Sequence, residues 1–214
     1  MHHLQIVRLD EGKTAADLAT LQPGTPPPSW VVMIGGPNAA GVSGSESWGT
    51  LDLAPGNYVA LCWIPSPAPD NKPHFMKGMV RPFVVVPASD TRAMPEAHFT
   101  VTLNDYSFAW SSPPPAGEHV IRVVNAGPQP HEVFIAKLAP GKNAADLLAW
   151  FGAGMQGPPP GAAIGGTVGI QAGGEHLIRV TLTPGEYGLY CFIEDATDHK
   201  MHFEHGIVSQ FTVQ

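Results

Sequence analysis

The stretch Ala54-Pro-Gly-Asn-Tyr-Val-Ala-Leu-Cys-Trp-Ile64 decides the fold, because it returns as Thr183-Pro-Gly-Glu-Tyr-Gly-Leu-Tyr-Cys-Phe-Ile193. In each version a Pro-Gly turn is followed by an apolar run that leads to a cysteine, which predicts a turn and a buried strand. Cys62 and Cys191, the two cysteines of the chain, lie 129 residues apart. Self-similarity at a fixed spacing indicates a repeated structural unit.

The repeat continues on both sides of this strand. Upstream, His2–Leu18 corresponds to His131–Leu147 at the same spacing, and downstream His74–Met79 corresponds to His202–Ile207 one deletion later. Each copy therefore has a histidine, a cysteine and a second histidine, followed by methionine in the first copy and isoleucine in the second. Two imidazoles and one thiolate form a trigonal site that suits copper, with a weak axial thioether as an optional further ligand.

Composition restricts the class of protein. Apolar residues make up 43% of the 214 residues and charged residues 14%, and there are 24 glycines and 23 prolines, which favours many short strands joined by turns. The net charge of -7 argues against nucleic-acid binding and against an anionic membrane surface. No apolar run is long enough for a membrane span, and Met1 leads into a strand without a visible signal peptide.

The order of strands and turns predicts an all-β fold of two tandem Greek-key β-sandwiches, each with one short helix. Two strands, in His98–Trp110 and His119–Asn125, precede the repeat in the second copy and have no counterpart in the first. We expect a first domain at residues 1–87 that lacks its first strands, a linker at 88–97 and a complete domain at 98–214. Because missing strands leave an unpaired edge, we expect the first domain to pair with the second, to form a homodimer or to belong to a longer secreted protein.

These motifs resemble those of the cupredoxins, the plastocyanin-like blue-copper proteins. Pro130-His131 after a turn resembles the upstream histidine of that family, and Pro-Gly-x-Tyr-x-x-x-Cys, ending at Cys62 and at Cys191, resembles its approach to the cysteine. The resemblance implies copper as the cofactor, electron transfer or copper handling, a redox partner protein, and a periplasmic or secreted location. The ligands that it implies are His2, Cys62, His74 and Met79 in the first copy, and His131, Cys191 and His202 in the second.

The two implied sites differ, and one alternative needs no metal. The first copy has the full ligand set, so we expect it to be the better copper site. The second copy has Ile207 at the axial position, where the missing ligand is expected to raise the redox potential. The alternative function is a metal-free, cupredoxin-like binding or structural module with buried thiols. A disulfide between Cys62 and Cys191 is a further alternative.

Multicopper oxidases and copper nitrite reductases resemble the chain in domain architecture, but they need a histidine beside the cysteine and His-x-His pairs. Trp63 and Phe192 follow the two cysteines, where we expect them in the core, and no His-x-His occurs. We therefore predict that the chain is not an enzyme. Two loop histidines, His199 and His205, offer an alternative nitrogen ligand beside His202. Three further histidines show no partner pattern and are expected at the surface: His98, His119 and His176.

Overall fold

Within residues 2–22, 27–38, 45–67, 69–88 and 92–214, which the computed structural model describes, the chain forms thirteen β-strands and two α-helices. This architecture confirms the predicted all-β fold class. The first copy contains β1 (Gln5–Leu9), α1 (Ala15–Leu18), β2 (Val31–Gly35), β3 (Trp48–Thr50), β4 (Gly56–Leu61) and β5 (Val80–Val85). The second contains β6 (Phe99–Asn104), β7 (Ser107–Trp110), β8 (Gly117–Asn125), β9 (His131–Leu138), α2 (Ala144–Gly152), β10 (Gly161–Ile170), β11 (Glu175–Leu182), β12 (Gly185–Tyr190) and β13 (Val208–Val213). Neither described helix is long and apolar enough to cross a membrane.

The second copy is a sandwich of two sheets. One sheet has the strand order β10-β9-β12-β13, and the other has the order β3-β11-β8-β6-β7, in which β6 and β8 run parallel. Every second residue of β8 from His119 onward is buried, as expected when one face of a strand lies against a partner sheet. The two inner faces form one core, whose members include Val101, Ile121, Ile135, Ile178 and Leu189.

The first copy has one sheet of its own, with the order β2-β1-β4-β5. Helix α1 begins after Thr14, because the Asp17 carboxylate accepts hydrogen bonds from the Thr14 backbone N–H and hydroxyl at 2.9 and 2.8 Å. One face of the sheet packs with α1 and buries a second core, which includes Val7, Leu9, Leu18, Val59 and Phe75.

The two copies join edge to edge through backbone hydrogen bonds. Asn38 N donates to Gly166 O at 3.1 Å, and Val168 N donates to Gly36 O at 3.0 Å. Gly166 and Val168 follow Gly36 and Asn38 by 130 residues each. The donor in each copy therefore meets the equivalent acceptor of the other copy. A local two-fold axis relates the copies at this joint.

Strand β3 belongs to the first copy in sequence but pairs with β11 of the second, where Gly49 lies opposite Ile178. The sequence did not predict this exchange, because pairing between distant strands depends on their tertiary context. The predicted domain boundaries stay a prediction, as does the homodimer. Residues 89–91 of the predicted linker lie outside the described residues.

Two local predictions are wrong. His98–Trp110 is not one strand, because a tight turn at Asp105 and Tyr106 divides it into β6 and β7. The other error concerns histidines that were expected at the surface. His119 and His176 are only 8% and 2% exposed, because alternate positions of β8 and β11 point into the sandwich.

His176 is an unpartnered imidazole at the contact between the copies. It lies beside Gly35 and Gly49, and neither ring nitrogen has a hydrogen-bond partner among the described residues. Burial lowers the pKa of His176 from 6.5 to about 4. Between these two values the unfolded chain binds a proton that the folded chain does not. This group therefore favours unfolding as the pH falls from 6.5 towards 4.

From about pH 7 to about pH 4, we expect the free energy of unfolding to fall by about 3 kcal/mol less in His176→Leu than in the wild type. The reason is that one pKa unit corresponds to about 1.4 kcal/mol. Denaturant unfolding at both pH values measures the difference. The control is His199→Asn, at an exposed loop position whose φ of 62° asparagine tolerates, and it should behave like the wild type. An equal acid-induced loss in His176→Leu and the wild type would contradict this prediction.

Candidate metal centres

The second copy brings one cysteine and two histidines together at one end of its sandwich. His131 begins β9, Cys191 follows β12, and His202 begins a 3₁₀ helix, His202–His205. Because β9 and β12 are antiparallel neighbours, the start of one lies beside the end of the other. Cys191 Sγ lies 3.4 Å from His202 Nδ1 and 3.9 Å from His131 Nδ1. We call these three fully buried residues the second centre.

Backbone hydrogen bonds return each long loop to its cysteine. After a loop of ten residues beyond Cys191, His202 N donates to Ile193 O at 2.8 Å, and Phe203 N donates to Cys191 O at 3.1 Å. The first copy repeats both bonds at 2.9 Å each. The loops therefore bring the second histidine to the cysteine in spite of their length.

The first copy assembles a corresponding set that is open to solvent. We call His2, Cys62 and His74 the first centre; their ligand atoms lie within 4.8 Å of one another. Cys62 Sγ lies 3.5 Å from His74 Nδ1, and the rings of His2 and His74 are 4.8 Å apart. Cys62 is buried, whereas His2 is exposed. The two centres thus have the same donor atoms but different access from solvent.

The spacing of the donor atoms fits a trigonal metal. Bonds of roughly 2.0 Å to nitrogen and 2.3 Å to sulfur, set at roughly 120°, place nitrogen and sulfur about 3.7 Å apart. The nitrogen–sulfur distances are 3.4 and 3.9 Å in the second centre and 3.5 Å between Cys62 and His74. A thiolate with two imidazoles in this arrangement is a donor set that suits copper. The residues present therefore fit the implied metal.

Burial sets the protonation of the second centre. It raises the pKa of the Cys191 thiol, and the neighbouring Glu132 carboxyl adds to the rise. It lowers the pKa of His202 to about 4, with His131 contributing. The thiol and the His202 imidazole are therefore both neutral at pH 7. A cation that displaces the thiol proton would supply the positive charge that a buried thiolate requires.

The residue after the first histidine accepts a backbone hydrogen bond in both copies. Glu132 Oε1 accepts from Phe192 N at 3.0 Å, and His3 Nε2 accepts from Trp63 N at 2.9 Å. Burial raises the pKa of Glu132 to about 7 and lowers that of His3 to about 4, where the two histidines of the first centre add to the fall. Trp63 and Phe192 pack against the cores beside α1 and α2, which confirms their predicted place.

The position after each 3₁₀ helix differs between the copies. Met79 N donates to His74 O at 3.0 Å, so the Met79 backbone borders the first centre. The Met79 side chain is 41% exposed, and its role as an axial ligand stays a prediction. In the second copy, Ile207 N donates to His202 O at 3.3 Å, and the Ile207 side chain is fully buried. A hydrocarbon group therefore stands where the first copy has a thioether.

Sequence analysis missed four polar residues around the second centre: Asp105, Tyr106, Gln129 and Asp195. The Tyr106 hydroxyl donates to Asp195 Oδ2 at 2.6 Å, and Gln129 Nε2 donates to Asp195 Oδ2 at 2.7 Å and to Asp105 Oδ2 at 3.2 Å. The donors Tyr106 and Gln129 hold the pKa of Asp195 well below its usual range. The available signal was the polar pair Asp105-Tyr106 between two strand-like runs.

Each histidine of the second centre has a carboxylate beside its outer nitrogen. His131 Nε2 lies 2.5 Å from Asp105 Oδ1. His202 Nε2 lies 3.8 Å from Asp195 Oδ2 and has no hydrogen-bond partner among the described residues. The inner nitrogens, Nδ1 in both rings, face Cys191.

A further group of possible ligands, Asp195, Asp198 and His205, braces the loop before the last strand. Asp198 Oδ1 accepts a hydrogen bond from His205 Nε2 at 3.0 Å, and this bond, together with those from Lys200, lowers the pKa of Asp198 to about 2. In the first copy an ion pair of 2.8 Å between Asp70 and Lys77 takes the corresponding place. The same loop is therefore held by a side-chain pair in both copies. In the first copy Lys77 takes the place of His205, which indicates that the His205 contact is structural.

Both cysteines are free and buried. The alternative of a disulfide between Cys62 and Cys191 is therefore wrong, since each thiol lies within its own centre.

No protein-family model matches the chain. No curated protein matches it in sequence. Among solved structures, it is similar to dithionite-reduced auracyanin from Roseiflexus castenholzii, with 22% identity over 54% of this chain and 94% of that chain and a TM-score of 0.38. It is also similar to auracyanin B, with 18% identity, coverage of 57% and 93%, and a TM-score of 0.37. A multicopper oxidase matches with 14% identity, coverage of 100% and 71%, and a TM-score of 0.31.

The chain has a cupredoxin-like fold, as its strand order and its paired histidine–cysteine–histidine sets indicate. The prediction that the chain is not an enzyme does not stand: a multicopper oxidase is among the structures that the chain matches, so the missing His-x-His pairs do not exclude an enzyme. A cupredoxin-like fold by itself does not separate enzymes from electron carriers.

Proposed function

We propose that the chain binds copper at both centres and carries single electrons. The observation that supports this most is the second centre, where one thiol and two imidazole nitrogens converge at the spacing of a trigonal metal. Copper, when bound, would supply a one-electron couple between Cu(I) and Cu(II). Because a trigonal set of one sulfur and two nitrogens suits both oxidation states, little rearrangement of the ligands would accompany electron transfer.

The cysteines and histidines of the two centres would bind the metal, and one of them would also expose its centre to solvent. Cys191 would bind the metal as a thiolate, and His131 and His202 would bind it through Nδ1. In the first centre Cys62 and the two histidines would act in the same way, and the exposed His2 would bring that centre to the surface. A redox partner protein and a location outside the cytoplasm stay predictions from the resemblance to cupredoxins.

Adding Cu(II) to the metal-free, reduced protein is expected to give two bound copper equivalents and an intense visible absorption from the thiolate–copper bond. Metal analysis after gel filtration and absorption spectra measure the two quantities. Zn(II) is the control, because it accepts the same ligands and has no redox chemistry. Protein that takes up no copper and stays colourless would overturn the proposal and favour a metal-free module.

A further inference from the structure

The two centres differ in the groups that lie beside the Nε2 atoms of their histidines. In the second centre, Asp105 and Asp195 lie on the Nε2 sides of the two histidines, at 2.5 and 3.8 Å. In the first centre, no carboxylate lies within ion-pair distance of His2 or His74 among the residues that the structure describes. Asp105 comes from the turn between β6 and β7, strands that the first copy does not supply.

The hydrogen bond to Asp105 decides which nitrogen of His131 can bind a metal. A neutral imidazole carries one N–H, and a metal binds only the other nitrogen. A carboxylate accepts and does not donate, so Asp105 Oδ1 requires the proton to be on His131 Nε2. The lone pair is then on Nδ1, the nitrogen that faces Cys191 Sγ at 3.9 Å.

The surroundings hold the carboxylate in this position. Gln129 Nε2 donates to the other oxygen of Asp105 at 3.2 Å. Gly127 packs directly on the pair, because a β-carbon there would lie 2.7 Å from Asp105 Oδ1 and 2.8 Å from His131 Nε2. The Asp105 side chain is 23% exposed, so its charge is only partly screened by water. A supported carboxylate on the outer nitrogen of a metal-binding histidine fixes the orientation of the ring and makes it a stronger donor.

We propose that Asp105 is a positioning residue, which holds His131 in the Nε2–H tautomer and, through its charge, favours Cu(II) over Cu(I) at the second centre. The second half of this proposal rests on the proposed copper binding; the first half does not. The charge of Asp105 would act against the rise in potential that follows from the missing axial ligand at Ile207. The two centres would then differ in potential because of residues beyond their ligands.

The tautomer can be measured in the metal-free protein by long-range ¹H–¹⁵N correlation of the His131 ring. The wild type should show the proton on Nε2. Asp105→Asn should keep it there, because the amide oxygen also accepts, whereas Asp105→Ala should give a mixture or the Nδ1–H form. A wild-type proton on Nδ1, or an unchanged tautomer in Asp105→Ala, would overturn the positioning role whether or not copper binds.

The effect of charge is measured in a Cys62→Ala background, where the second centre remains. Asp105→Asn should raise the preference for Cu(I) over Cu(II) about tenfold, which is about 59 mV for one electron. Asp198→Asn is the matched control, because it removes one carboxylate charge from the same copy. The Asp198 side chain contacts His205 and not a proposed copper ligand. An unchanged ratio in Asp105→Asn, or an equal change in Asp198→Asn, would overturn the tuning role. Failure of the parent variant to bind copper would contradict the proposed function and leave the tautomer result standing.

Discussion

Cys191→Ala is expected to lose one of the two copper equivalents, together with the visible absorption of the buried second centre. The thiolate is the ligand that selects copper and gives the charge-transfer colour, and alanine leaves only two imidazoles in a buried site. Loss of an outer-shell partner costs ~10–100-fold in metal affinity, so loss of this direct ligand should cost more than about 100-fold. Copper titration followed by absorption spectra measures the result.

Cys62→Ala is the matched comparison, because it makes the same change in the open first centre. It should lose the other equivalent and keep the buried one, and the double variant should bind neither. Thermal unfolding of the metal-free variants checks that the fold survives, since removal of one sulfur from a core should cost only about 1 kcal/mol. Retention of both copper equivalents in the double variant would contradict the assignment of both cysteines.

Gly166→Ala is expected to lower the free energy of unfolding by about 3–5 kcal/mol, and Gly36→Ala to have a similar effect. These glycines have φ values of 128° and 137°, in a region that residues with a β-carbon rarely adopt. A β-carbon would also collide with the backbone carbonyl oxygen of Val133 in one case and of Leu4 in the other. Both costs arise where the two copies exchange their hydrogen bonds.

Denaturant unfolding measures this loss, and thermal unfolding should show a fall of roughly 10 °C. Gly152→Ala is the control, because a β-carbon at the end of α2 meets no atom within 4 Å and the backbone there is not left-handed. It should be neutral or slightly stabilising, since alanine favours a helix. A Gly166→Ala variant as stable as Gly152→Ala would show that the joint tolerates a side chain.

The sequence was sufficient to predict the all-β class and the sets of residues that meet, because both depend on short-range patterns. The Pro-Gly turn and the apolar run fix β12, and β12 places Cys191 beside the start of β9. The placement of His202 also needed the long-range bond from its N–H to Ile193 O, which no local pattern predicts. The motif therefore predicted that cysteine and histidine lie at the same end of the sandwich. The short distance between Cys191 and His202 depends on the tertiary fold.

The missed residues share a physical cause. Asp105 and Tyr106 lie in a run of β-forming residues, so alternation continued through the turn and concealed it. His176 points inward from β11 and is covered there by Gly35 and Gly49 of the first copy, and the repeat alone does not orient one copy against the other. Pairing of β3 with β11 has the same origin, since it joins segments more than a hundred residues apart. Tertiary contacts of this kind override local preference.

The joint between the copies consists largely of main-chain donors and acceptors, which every residue except proline provides equally. Two side-chain amides add to it, because Gln5 Nε2 donates to Gly169 O at 2.9 Å and Asn38 Nδ2 donates to Thr167 O at 3.4 Å. Apart from these two amides and the two glycines, the joint therefore requires few particular side chains. Mutations can accumulate around one centre, as with the acidic residues beside His131 and His202, without altering how the halves are aligned. A duplicated chain of this design can diversify its two sites independently while it inherits a fixed geometry between them.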